Sequence, residues 1–79
     1  MADNARKLDV IIRPRTGGEY VSYVIARPRR DGRWEGLLEF RPPNGASALL
    51  TDVQTTQRNV ADVFAWAAGL SVSHIENAF

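Results

Sequence analysis

Three features of the chain predict an α+β fold, a four-stranded antiparallel meander followed by two C-terminal helices packed on one face of the sheet. Apolar residues alternate with a two-residue period through the first half, turn-forming Asp31-Gly32 and Asn44-Gly45 separate the alternating runs, and a helical apolar period follows Asn59. With 79 residues the chain makes one domain whose folding hides only about 60% of the unfolded surface, so its core is thin and a partner subunit would help it.

Residues 1–6 are polar, without period, and expected to be a disordered N-terminus, leaving a single domain over residues 7–79. From Lys7, the residues Leu8, Val10 and Ile12 point one way and Lys7, Asp9 and Arg13 the other, as in a half-buried strand. A loop through Arg13, Pro14 and Gly17-Gly18 ends it. A second strand is expected from Tyr20 to Arg27 and a third from Arg33 to Arg41. Asp31-Gly32 between them is read as a two-residue type I′ turn, which requires positive φ at both centres. That turn pairs Arg30 with Arg33, Ile25 with Leu38 and Tyr23 with Phe40. Trp34, Gly36, Leu38 and Phe40 then share the inner face with Val21, Tyr23 and Ile25, while Leu37, Val24, Glu35 and Glu39 face outward.

After the Pro42-Pro43-Asn44-Gly45 turn, a fourth strand is expected over residues 47–53, and Thr55-Thr56-Gln57-Arg58 forms a polar loop into the first helix. Asn59 is its N-cap, with Asp62 at the positive end of the dipole. Val60, Val63, Phe64, Ala67 and Leu70 make its apolar stripe, and Gly69 ends it in a left-handed conformation. The last helix starts at Ser71 or Ser73 and contributes Val72, Ile75 and Phe79.

Charge is uneven. Residues 1–41 carry nine bases and six acids, residues 42–79 one base and three acids, so the N-terminal half is the basic one and the total is +1. The chain has no cysteine, which removes disulfides, thiolate nucleophiles and cysteine-ligated zinc. Residues 1–10 lack the apolar run of a secretory signal, and no stretch reaches the about 20 apolar residues of a bilayer span. A cytoplasmic location is expected, with no membrane partner.

Catalytic patterns are missing. Glu35 and Glu39 lie four residues apart on one strand face, roughly 13 Å, too far for paired-carboxylate hydrolysis. His74 has serines near it in sequence but no third group to orient it, and alone it cannot hold zinc. Gly17-Gly18 lacks the lysine and the helix of a phosphate loop. The chain is therefore expected to be no enzyme and to carry no cofactor or metal.

Four surfaces remain as candidates. A non-enzymatic protein-interaction or assembly module, including a homodimer, would use Trp66, Phe79 and Leu37, the apolar groups expected to be incompletely covered. A nucleic-acid or other anion site would use Arg13, Arg15, Arg29, Arg30 and Arg33 with Tyr20, Tyr23 and Trp34 beside them. The polar stretch Thr55, Thr56, Gln57 and Arg58 lies next to a helix N-terminus. Finally, Gly69-Leu70-Ser71 has the spacing of a DNA-reading helix-turn-helix, but the second helix offers His74, Glu76 and Asn77 in place of bases.

The run Trp34-Glu35-Gly36-Leu37-Leu38-Glu39-Phe40, then Thr55-Thr56-Gln57, then Ala61-Asp62-Val63 leading to Trp66-Ala67-Ala68-Gly69-Leu70, resembles a family of small uncharacterised bacterial proteins over residues 33–79. That resemblance implies no particular activity. The strand order and Thr-rich helix entry are also similar to the antitoxin domains of toxin-antitoxin pairs, which implies a regulatory binding role by analogy of fold alone.

Overall fold

The computed structural model describes residues 4–79. Its elements run β1 (Asn4–Ile12), β2 (Tyr20–Pro28), β3 (Trp34–Arg41), β4 (Leu49–Leu50), β5 (Thr55–Gln57), α1 (Val60–Ala68) and α2 (Val72–Ala78). The strands form one antiparallel sheet in the order β1-β2-β3-β4, with β5 also on β3, so the α+β meander with two C-terminal helices is the observed architecture. β1 begins at Asn4, earlier than expected, because Asn4, Ala5 and Arg6 pair with Ala26, Ile25 and Val24. The disorder expected for residues 1–3 lies outside the described residues.

The fourth position in the sheet is a single edge broken in two. Leu49 and Leu50 pair with Phe40 and Glu39, and Thr55–Gln57 pairs with Gly36, Glu35 and Trp34. Between them the Thr51 amide donates to the Leu38 carbonyl at 2.9 Å and the Gln54 amide to that of Gly36 at 2.8 Å. The Thr51 hydroxyl accepts from the Leu38 amide at 3.0 Å, replacing a backbone acceptor at the break. The stretch Thr55-Thr56-Gln57 is thus a strand and not the expected loop; its β-branched residues suit the ladder. A kinked edge of this kind resists pairing with another sheet.

The β2–β3 hairpin differs from the expected register by one residue. Ile25 pairs with Leu37, Val24 with Leu38 and Ser22 with Phe40. The Gly32 amide donates to the Arg29 carbonyl at 3.3 Å and the Arg29 amide to the Arg33 carbonyl at 2.8 Å. These bonds close a three-residue loop with Gly32 at φ 85°, whereas among the described residues no non-glycine has positive φ. Asp31 therefore stays in ordinary backbone space, and its carboxylate accepts from the Arg33 amide at 3.0 Å. A one-residue slip turns every β2 side chain over. Val24 and Ala26, both 0% exposed, face the helices, and Tyr23 and Ile25 face away.

Both helices lie on the even-numbered face. Ile12, Val24, Ala26, Leu38 and Phe40 pack there with Val63 and Ala67 of α1 and Ile75 of α2. Asn59 caps α1 by accepting from the Asp62 amide at 2.8 Å, and Ser71 caps α2 by accepting from the His74 amide at 3.0 Å. Gly69 is not left-handed: at φ −90° it closes α1 through short bonds from Gly69 to Trp66 and from Leu70 to Ala67. The small pair Ala26 and Gly36, neighbours across β2 and β3, marks where α1 approaches the sheet.

Among the described residues no helix covers the odd-numbered face, yet Ile25 and Leu37 are only 8% and 2% exposed there. On one side of them Arg27 bridges to Glu35 at 3.0 Å; on the other Arg41 lies 3.9 Å over the Tyr23 ring. The aliphatic stems of these long side chains and the Tyr23 ring shield the apolar pair while their charges stay in water.

Candidate functional site

The expected basic cluster divides in two. Arg13 and Arg15 lie in the loop before β2 and Arg29, Arg30 and Arg33 at or beside the turn after it. The nine residues of β2 separate these loops, a distance of about 26 Å at a strand's rise. Charge is compensated at two of the five, while Arg15, Arg30 and Arg33 have no carboxylate partner among the described residues. Arg13 pairs with Glu19 at 2.8 Å, and Arg29 with Asp31 at 3.3 Å and Glu35 at 3.5 Å. Arg41 pairs with Glu39 and Arg58 with Asp62, so Glu35 and Glu39 serve as partners for guanidinium groups. Hydrogen bonding to Glu39 holds the Arg41 guanidinium above its ordinary pKa. The Arg33 amide, then Arg29, hold the exposed Asp31 carboxyl below its ordinary value.

The aromatics expected beside those arginines divide between the two faces of the sheet. Tyr20 stacks on Phe79 with ring centroids 4.9 Å apart, and half-buried Trp34 packs against the core. Tyr23 faces outward, but its ring is covered by Arg41. No flat run of open rings results, which is what a single strand of nucleic acid stacks upon.

The polar stretch before α1 is partly engaged with itself, while Thr56 is exposed. Gln57 donates to the Thr55 hydroxyl at 2.7 Å, Arg58 reaches Asp62 at 3.9 Å, and the Asn59 carboxamide already occupies the Asp62 amide. His74 is exposed on α2, and Ser71 is engaged as its cap. Among the described residues, no group of three or more His, Cys, Asp or Glu residues is placed to hold a metal ion, and no helix is long and apolar enough to cross a membrane.

The three expected partner residues have separate fates. Phe79 is 41% exposed and sits on the rings of Phe40 and Tyr20, with centroids 5.1 and 4.9 Å away. Trp66 is half-buried, its ring edge close to Gly36. Leu37 does face away from the helices but is 2% exposed, on the face that carries the Arg27–Glu35 pair, so it is not available for contact.

An apolar surface absent from that expectation lies on α1. Ala61, Ala65 and Ala68 recur at helical spacing on its solvent side, all exposed, and with Val60, Phe64 and Arg6 they line a shallow groove. Asp62 is the sole charge in α1, and Val72 at the start of α2 is 55% exposed. A helix bathed in water ordinarily carries Lys and Glu on that side. The signal was in the sequence: alanine is neutral in an apolar stripe, so a search for large apolar residues passes over it. No protein-family model matches the chain, and neither a curated protein nor a solved structure matches it.

Proposed function

We propose that the chain is a non-enzymatic interaction module that associates with a second copy of itself through the solvent side of α1. The observation that carries this reading is the uncharged, exposed row Ala61, Ala65 and Ala68 beside Phe64 along one side of α1. Alanine at i, i+4 and i+7 lets two helices approach to the short end of the 8–10 Å range of packed helices, and a two-fold axis would place each row on its counterpart. Removing this surface from water would supplement the thin core of so short a chain. The nucleic-acid reading draws less support, since its five arginines are split between the two ends of β2 and two of them, Arg13 and Arg29, already have carboxylate partners.

Sedimentation equilibrium from low to high micromolar concentration tests the proposal. A concentration-dependent dimer is expected, weakened at least about tenfold by Ala65→Glu, which sets like charges against each other across the axis. A monomer throughout, or a dimer indifferent to Ala65→Glu, refutes it.

A further inference from the structure

The β1–β2 register shifts between Lys7 and Ile11, and beside the shift a cleft of about 340 Å³ opens between β1 and the two helices. Buried Val24, Ala67 and Ile75 form its floor; half-buried Leu8, Phe64 and Leu70 line its walls. That volume lies at the lower end of small-molecule sites, which are apolar chambers with a few polar groups that orient the ligand.

Arg6 is the distinctive group in this cleft. Its guanidinium rests 4.1 Å over the Phe64 ring. Arg13, Arg27, Arg29, Arg41 and Arg58 each pair with a carboxylate, whereas Arg6, like Arg15, Arg30 and Arg33, has no such partner among the described residues, and of these four Arg6 is the one that lines the cleft. Stacking uses the flat face of a guanidinium and leaves its N–H fork, which matches a carboxylate in two parallel bonds. Lys7 and Asp9 also line the cleft, so the ionised groups there sum to one positive charge.

We infer that this cleft binds a small monocarboxylate with an apolar body, its charge on Arg6 and its body over Val24, Ala67 and Ile75. At about 30 Å³ per small heavy-atom group, the volume accommodates about ten such groups, the size of octanoate.

Octanoate titrated into the full chain, followed by residue-resolved amide NMR, tests this inference. Saturable shifts are expected at Leu8, Val24, Ala67, Leu70 and Ile75, with octanol binding about fivefold more weakly for want of the charge-assisted contact. Arg6→Gln should reduce octanoate affinity to that of octanol and leave octanol binding unchanged. Because Arg6 is exposed, the variant is expected to fold, and the octanoate–octanol comparison on the unaltered chain stands without it. Absence of saturable shifts, shifts centred on Ala61 and Ala65, or equal affinity for acid and alcohol overturns the inference.

Discussion

Replacing Gly36 by alanine probes how closely α1 and β5 are seated on the sheet. A Cβ at this position would lie 2.7 Å from the Thr55 γ-methyl, 3.0 Å from a Val63 methyl and 3.3 Å from the Trp66 ring. Thr55 is paired directly opposite Gly36 in β5, its χ1 is restricted by β-branching, and Val63 is 0% exposed, so no flexible side chain can swing clear. Strain of this kind costs about 1–3 kcal/mol, against which alanine recovers about 0.5–1 kcal/mol of backbone entropy in a strand. A net loss of about 1–2 kcal/mol follows, or about 4–16 °C in Tm for a domain of this size. Urea unfolding followed by tryptophan fluorescence measures it, and Thr55→Ser, which deletes the nearest methyl, should offset part of the loss in a double-mutant cycle. Gly36→Ala with unchanged or raised stability would refute the reasoning, as would strict additivity with Thr55→Ser.

Two further outcomes follow from local contacts. Asn59→Ala removes the acceptor for the Asp62 amide and should cost about 1 kcal/mol, read as a lower urea midpoint at unchanged slope. Asp31 is held below its ordinary value of 3.8 chiefly by the Arg33 amide. A depressed carboxyl stabilises the fold above its unfolded pKa, and that contribution is lost as pH falls through the folded value. The Arg33 amide resonance should therefore titrate with a midpoint below 3.8; a midpoint above it would remove the proposed hydrogen bond.

The hairpin explains why one part of the fold was legible and another was not. Asp31-Gly32 announces a turn, but two-residue and three-residue loops both use an Asp-Gly pair, and they differ in whether Asp31 takes positive φ. The β2 pattern could not arbitrate. Val21, Tyr23 and Ile25 are the more apolar set, and Ser22, Val24 and Ala26 the one that faces the helices. The inward set is chosen by size, because Ala26 beside Gly36 leaves room for α1, while the larger residues lie outward beneath paired Arg and Glu side chains. The Ser22 hydroxyl, 0% exposed, donates to the Val10 carbonyl at 2.6 Å and so satisfies itself on that face.

The candidate surfaces divide in the same way. Arginine content was readable, but cross-strand pairing was not, since Arg27 meets Glu35 only in the observed β2–β3 register. Leu37 was placed on the correct face and given the wrong exposure, because sequence pattern reports direction and not what neighbouring side chains cover.

By itself the sequence determined the α+β class, the meander order, the cap at Asn59 and the even-numbered inner face of β3, and narrowed the second cap to Ser71 or Ser73, all consequences of local periodicity and local hydrogen bonding. Tertiary structure alone decided the β2 register, the breaking of the last edge into β4 and β5, the cross-strand pairing of Arg27 with Glu35 and the cleft beside Arg6. Each of these depends on how closely one element can approach another, a quantity set by the volumes of side chains far apart in the chain.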